Sequence, residues 1–433
     1  MPAPRRLFMY SSLIALALTQ QAHAAGFQLK EQGAGVQGLS FAGATAKADD
    51  MSTLFFNPAG MTRLKGDRAE ITATYILPSA KLTMSNVTAA TVGGTGKPTI
   101  NDGNGGDAGV GTLVPALYAK KQLNNDWSLG VSVNTPFGLS TSYDDGWAGR
   151  YYALDSELKT INVSPMLAYR VNNNLSVGGG VQVQHISAML TKAVNFAAFV
   201  PGAPDGQSKL VGQDYGLGYS LGALYEFSPK SRIGVSYRSR VSHQVEGRVE
   251  VSNVPGAVAG NANFQTADAT ASLTTPDVLS IGGYHALNDK WALMADLSWT
   301  NWSVFDNLIV TNKSNGTVRE NIAEHWHDTW FLALGTEFKP NEKDTWQFGV
   351  AYDEGAAPTQ NRTFRIPDTD RIWTSVGYQR KLSEFSNVGV GYSHIFGKKA
   401  RVNEVGTPTV AGTINGEFDA HVDILSVNFA YKF

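Results

Sequence analysis

The chain has 433 residues, of which 17% are charged and 10% aromatic, with 45 Gly, no Cys and a formal net charge of -2. The missing cysteines exclude a disulfide framework and thiol chemistry, and a pI near 6.5 gives no basis for a nucleic-acid partner. Mean hydropathy is -0.17, the value of a soluble protein, although charge is scarce. At the amino end Arg5 and Arg6 precede an apolar run from Leu7 to Leu18 and the small-residue pattern Ala22-His23-Ala24, which predicts a secretory leader cleaved after Ala24. The run falls short of the ~20 residues that a membrane-crossing helix needs. No later apolar stretch reaches that length, so the exported chain is either soluble or spans the membrane as a closed barrel.

Residues 25 to 66 carry no strand period. Gln28-Leu29-Lys30-Glu31-Gln32 leads into a Gly/Ala-rich run from Gly33 to Ala48, then Asp49-Asp50 and the apolar Leu54-Phe55-Phe56. Small residues and short helix-like pieces predict a plug folded inside a lumen. A mobile tail would leave Phe27, Phe41, Phe55, Phe56 and Met61 in water, at roughly 1.5–3 kcal/mol each. In Asn57-Pro58-Ala59-Gly60-Met61, Pro58 fixes φ and biases Asn57 away from helix, which predicts a turn or a helix start.

From Asp67 onward, short segments alternate between apolar and polar residues, the period of a strand with two unlike faces. Trp127, Leu129, Val131 and Val133 alternate with Ser128, Gly130, Ser132 and Asn134. Similar runs occupy Glu70 to Leu77, Thr112 to Leu123, Leu158 to Val171, Leu175 to Met189, Gly216 to Phe227 and Ile233 to His243. Others are Asp277 to Leu287, Trp291 to Trp302, Thr329 to Phe338, Trp346 to Tyr352, Trp373 to Leu382, Val388 to Ile395 and Val422 to Phe433. Short polar turns such as Asn124-Asn125-Asp126, Asn172-Asn173-Asn174, Pro229-Lys230-Ser231 and Asn288-Asp289-Lys290 alternate with long Gly-, Thr- and Asn-rich segments. The long segments are Lys81 to Gly111, Lys192 to Gln213, Glu246 to Thr270 and Asn307 to His325. Short periplasmic turns and long external loops are the habit of outer-membrane barrels. Trp127, Trp291 and Trp346 follow short turns, where an aromatic girdle would lie at the headgroups.

These features predict an all-β transmembrane protein of the bacterial cell outer membrane, an antiparallel β-barrel of about 14 strands with an N-terminal plug of short helices. The expected division is a leader at 1–24, the plug at 25–66 and the barrel at 67–433. A closed wall leaves no edge to pair, so a monomer is expected. The ending Leu425, Val427, Phe429, Tyr431, Phe433 resembles the terminal strand that barrel assembly machinery reads.

Gly26-Phe27-Gln28-Leu29, Ala48-Asp49-Asp50 and Asn57-Pro58-Ala59, at this distance from a leader, resemble the FadL family of outer-membrane transporters for long-chain fatty acids and other hydrophobic compounds. The resemblance continues through Gly146-Trp147-Ala148-Gly149-Arg150-Tyr151, Ser156-Glu157-Leu158, Trp299-Thr300-Asn301-Trp302-Ser303, Gln360-Asn361-Arg362 and Ile366-Pro367-Asp368-Thr369-Asp370-Arg371. It implies a fourteen-stranded barrel, a gating hatch that contains the Asn57-Pro58-Ala59 turn, and sideways release at a kinked third strand. Thr135-Pro136-Phe137-Gly138-Leu139 occupies the corresponding place. Backbone chemistry alone also interrupts that strand, since Pro136 cannot donate to a ladder and Gly138 tolerates unusual dihedrals.

The expected function is passive uptake of a long-chain fatty acid or another hydrophobic ligand, held beside Phe27 and Leu29 and released into outer-membrane lipid past Pro136, Phe137 and Gly138. Arg150, Arg362, Arg365 and Arg371 are candidate cations for a carboxylate headgroup, each with structural pairing as its alternative. A channel for aromatic hydrocarbons is the main competitor, and a nonspecific porin is a third reading. A lipase would need an activated nucleophile. Gly218-Tyr219-Ser220-Leu221-Gly222 has the spacing of one but lies inside a strand run, whereas a nucleophile elbow needs a strand-to-helix turn. His185, His243, His285, His394 and His421 lie in or beside strands. His325-Trp326-His327 puts two imidazoles on one strand face without a third ligand, so no metal, cofactor or catalytic residue is expected.

Overall fold

The computed structural model describes residues 26–88, 90–92, 95–97, 102–405 and 410–433; the expected leader lies outside the described residues. Fourteen wall strands follow one another around a closed barrel. They are β1 (Arg68–Thr88), β2 (Thr112–Gln122), β3 (Trp127–Asn134 and Gly138–Ser142), β4 (Asp155–Arg170), β5 (Leu175–Val194) and β6 (Gly206–Ser228). Next come β7 (Ser231–Arg238 and Val241–Ser252), β8 (Ala267–Thr275 and Val278–Ala286), β9 (Trp291–Thr300 and Asn307–Asn312) and β10 (Val318–Ala323 and Thr329–Phe338). The last four are β11 (Asp344–Asp353), β12 (Arg371–Lys381), β13 (Ser386–Gly397 and Ala400–Val405) and β14 (Thr413–Lys432). Antiparallel pairing of β1 with β14, from Arg68 opposite Lys432 to Thr88 opposite Thr413, closes the wall.

The two-faced strand pattern has a physical origin in this closure. Ile71, Tyr75, Leu129, Val131, Leu425 and Val427 point outward and are exposed, while Thr72, Thr74, Ser128, Ser132 and Asn134 point inward and are buried. An apolar exterior around a polar interior suits a wall surrounded by hydrocarbon, and no helix among the described residues is long and apolar enough to cross a membrane. At the short-turn rim, aromatic pairs bridge neighbouring strands, Trp127 with Tyr169 at 4.5 Å, Trp291 with Phe338 at 4.6 Å and Trp346 with Tyr378 at 4.9 Å.

The long connections are shorter than the composition predicts. β5 runs on to Val194 and β6 begins at Gly206, while β7 extends to Ser252, β8 starts at Ala267, and Asn307–Asn312 forms a hairpin with Val318–Ala323. Above the apolar belt the alternation inverts, with Val241, Val245 and Val249 of β7 buried and Ser242, Gln244 and Arg248 exposed, and the ladder hydrogen bonds continue through the inversion.

Residues 26–66 lie inside this wall. Two one-turn helices, Ala34–Gln37 and Thr53–Phe56, and a 3-10 helix, Pro58–Arg63, are joined by turns. The Asn57 side chain caps the 3-10 helix by accepting from the Ala59 amide at 3.1 Å, and Pro58 sits at a first-turn position where its missing N–H costs nothing. Contact with the wall is backbone-close: a Cβ added at Gly222 would collide with Asn57 and Pro58, and one at Gly349 with the Leu39 carbonyl. Inward glycines thus let the inner segment lie flat against the strands.

Candidate functional site

The inner segment is pinned to the wall by buried polar groups. Asn57 Nδ2 donates to the Thr45 carbonyl at 2.8 Å and across to the Ala223 carbonyl of β6 at 3.0 Å. Lys47 bridges Asp49 at 2.8 Å and the buried Glu337 of β10 at 2.9 Å. Thr45 donates its amide to Asp296 of β9 at 2.9 Å, and Tyr118 of β2 donates to the Gln32 carbonyl at 2.6 Å. The Asn57-Pro58-Ala59 turn therefore sits at a hub joining two parts of the inner segment to β6.

Its first residues form a strap across the lumen. Leu29 N donates to the Pro136 carbonyl and Gly138 N to the Phe27 carbonyl, both at 2.8 Å, with Gln28 opposite Phe137. These bonds use the part of β3 that its neighbour leaves free. β2 pairs with β3 only from Leu117 opposite Val133 to Gln122 opposite Ser128, and Thr112–Ala116 pair with β1 alone. Above the break, Gly109 bridges Thr141. The wall thus has a gap between β2 and β3 at Pro136, Phe137 and Gly138, backed from inside by Phe27, Gln28 and Leu29.

Phe27 is fully buried, with its ring 4.7 Å from Trp302, 5.4 Å from Phe305, 5.7 Å from Trp326 and 6.0 Å from Phe137. Over it lies a cavity lined by Leu139, Leu158, Val245, Leu273, Phe305 and Leu308, with Arg365 and Glu324 as its charged-type residues together with Glu157. Leu29 lies below, on a second space of about 520 Å³ whose lining includes Gln28, Lys30, Arg238 and Asp296. The strap separates an apolar chamber from one in which Lys30, Arg238 and Asp296 sit among Phe41, Phe55 and Phe331.

The four arginines part company. Arg150 pairs with Asp205 at 2.9 Å and Asp102 at 3.3 Å, away from the cavity. Arg371 is held by Asp368 at 3.1 Å and Asp353 at 3.5 Å. Arg362 donates to the carbonyls of Asp368, Arg401 and Ala357. Arg365 lines the cavity, forms no ion pair among the described residues, and donates to Ser156 Oγ at 2.9 Å and to the Asp155 and Thr191 carbonyls. Burial pulls its guanidinium below its usual range against the attraction of Glu320, Glu404 and Glu324. Burial pushes the Glu324 carboxyl up to about 8, although it accepts from Trp326 Nε1 at 2.9 Å. Near neutral pH the cavity wall therefore presents a cation beside an uncharged acid.

No sequence motif marks the aromatic cluster of Trp302, Phe305 and Trp326, whose members come from the 3-10 turn of β9 and the loop within β10 and meet only in the fold. His325 and His327 are in a loop rather than on a strand face; His325 has φ 46° and its Nδ1 lies 2.5 Å from Asp306. Among the described residues no cluster of three metal-ligating groups occurs. Ser220 is buried within β6, its hydroxyl without a hydrogen-bond partner among the described residues, which is no setting for a nucleophile.

Fold and site together define an outer-membrane β-barrel whose lumen is filled by its own amino-terminal segment beneath an apolar chamber. The chain belongs to the outer membrane protein transport protein family (OMPP1/FadL/TodX), whose model matches residues 15–433. It is 29% identical to the long-chain fatty acid transport protein of Escherichia coli O6:H1 over 99% of both chains, and 29% identical to outer membrane protein P1 of Haemophilus influenzae over 98% of this chain and 99% of that one. A Pseudomonas aeruginosa FadL homologue superposes with a TM-score of 0.86 at 24% identity, over 94% of this chain and 100% of the other. The Pseudomonas putida toluene transporter TodX superposes at 0.70 with 17% identity, over 95% and 100%. These relatives are transport proteins and membrane proteins, not enzymes.

Proposed function

We propose that this chain is a passive channel for long-chain fatty acids, with the inner segment acting as a hatch and ligand leaving sideways through the gap at β3. The observation that carries the reading is Arg365, a buried guanidinium with no ion-pair partner among the described residues, at the wall of a chamber lined mainly by apolar side chains. A carboxylate with a long acyl tail satisfies both parts, because charge-assisted bonds hold the head and each methylene gains about 0.8 kcal/mol on leaving water. Two curated relatives, named as long-chain fatty acid transport proteins, support the ligand class at 28–29% identity over nearly the whole chain.

Two observations favour the sideways exit. Below the strap the lumen turns polar at Gln28, Lys30, Arg238 and Asp296, a poor path for an acyl chain. Beside the strap the wall lacks its ladder, and the neighbouring Leu113 and Leu117 of β2 are exposed and apolar on the outer face. In this mechanism the hatch held at Asn57, Pro58 and Ala59 rearranges, which frees Phe27 and Leu29 from Pro136, Phe137 and Gly138 and lets ligand pass. Concentration alone drives the transfer.

Uptake of labelled oleate and labelled toluene, in cells lacking other hydrophobic channels, tests this with the intact chain and Gly138→Phe. Oleate entry that the substitution stops is the expected result. Entry of toluene alone replaces the ligand with the aromatic hydrocarbons of the family's toluene transporters, and entry of neither refutes the channel.

A further inference from the structure

A second break in the wall opens on the same chamber. The lower segments of β8 and β9 pair without interruption from Ala286 opposite Ala292 to Val278 opposite Thr300, but their upper segments share only the rungs from Ala269 opposite Asn312 to Ala271 opposite Val310. Between the two ladders lie Ser272–Asp277 on β8 and the longer stretch Asn301–Ile309 on β9. The surplus residues of β9 turn inward as the 3-10 helix Trp302–Val304 and press Trp302 onto Phe27. Beyond the Asn301 N to Asp277 O bond at 3.0 Å, the two edges face each other unpaired, β8 being held by β7 and β9 by β10 on their far sides. At ~3.3 Å per strand residue the opening is on the order of 15 Å along β8.

The height of this seam is marked by its neighbours. Leu279 and Ile281, just below it on β8, are exposed and apolar, whereas Ser272 and Thr274 along its edge are polar. The change from apolar Leu279 and Ile281 to polar Ser272 and Thr274 puts the seam where the apolar belt ends, at the height of a headgroup layer. On the inside, Leu273, Phe305 and Leu308 line both the seam and the chamber, whose far end reaches Leu139 and Leu158 beside the β2/β3 gap.

We propose that the β8/β9 seam is a side entrance through which a single-chain amphiphile held at the outer-leaflet interface slides into the chamber. This rests on the channel reading above and adds the route in. An amphiphile anchored at the headgroup layer already carries its head at the height of Ser272 and Thr274, and its tail meets Leu273, Phe305 and Leu308 without crossing water. The chamber then joins two wall openings, with Phe27 between them.

The chain has no cysteine, so paired substitutions are clean. Extending the upper register places Thr274 opposite Asn307 across the seam, and Thr274→Cys with Asn307→Cys locks the edges on oxidation. Thr270→Cys with Thr311→Cys, on an existing rung, is the control. Oxidation of the seam pair is expected to lower the initial rate of oleate uptake several-fold, with recovery in dithiothreitol, while the control pair keeps its rate. Leu308→Cys, should the lock not form, is expected to react with a membrane-impermeant maleimide in intact cells and lose uptake in proportion. A locked chain that transports at the reduced rate, or a Leu308→Cys chain that stays unlabelled, overturns the side entrance alone. A reduced chain that carries neither oleate nor toluene overturns the channel reading with it.

Discussion

Replacing Arg365 by Leu separates a ligand-binding cation from a structural one. Its guanidinium donates to one hydroxyl and two carbonyls and has no carboxylate partner among the described residues, so its removal orphans no buried charge. A hydrogen bond to a charged group contributes about 1.5–3 kcal/mol, which converts to roughly a 10- to 150-fold weaker oleate Kd at 1.4 kcal/mol per tenfold. Toluene, with nothing to offer a guanidinium, is expected to bind Arg365→Leu as it binds the parent. Tm in detergent is expected to change little, because the relief of a desolvated charge offsets the bonds lost at Ser156, Asp155 and Thr191. Titration calorimetry with both ligands and a thermal melt test this. Equal loss of oleate and toluene binding, or a large fall in Tm with oleate affinity intact, refutes the assignment.

Three further outcomes are expected. Glu324 has its carboxyl raised from 4.5 to about 8 by burial. Its contribution to folding is therefore full below about pH 4.5 and is lost as pH climbs through about 8. Oleate affinity should decline over the upper part of that window as Glu324 becomes an anion beside Arg365, and a Glu324→Gln chain titrated from pH 7 to 9 should show a flat profile. Asn57→Ala strips partners from the Thr45 and Ala223 carbonyls and the Ala59 amide, at about 1–3 kcal/mol for each buried orphan, and faster hydrogen exchange across residues 44–62 should report it. Lys47→Met leaves Glu337 without its 2.9 Å partner, a loss of about 3–5 kcal/mol for a broken buried pair; the melt should recover much of this when Glu337→Gln is added.

The barrel was legible because hydrocarbon on one side and a polar lumen on the other impose the two-residue period directly on the chain, as from Trp127 to Asn134. That pattern inverts above the belt, where Val241, Val245 and Val249 are buried and Ser242, Gln244 and Arg248 exposed, so the upper lengths of β5 to β10 read as loops although hydrogen bonds continue them. Of the two wall breaks, Pro136 announced the first. The second has Pro276 on its β8 edge and the 3-10 turn Trp302–Val304 on its β9 edge, and the mismatch in residue number between the two edges is revealed by neither strand alone. The arginines could not be ranked from sequence, since the distinction between Arg365 and Arg150 depends on whether Asp205 and Asp102, from other loops, come near. His325-Trp326-His327 alternates like a strand, yet its buried member is the indole, not the imidazoles.

The close fit between the inward glycines and residues 26–66 constrains how the protein is assembled. Backbone seated flush against Gly222 and Gly349 leaves no clearance for threading through a finished ring, so the part of the chain made first must already be in position when the part made last, β14, zips onto β1. Maturation then becomes a wrapping process with the amino-terminal segment as its mandrel, and a chain missing that segment would close around Glu337, Asp296 and Tyr118 deprived of Lys47, Thr45 and Gln32. Quality control at the final seam would in effect inspect the lumen, since a badly seated core holds the two closing strands apart.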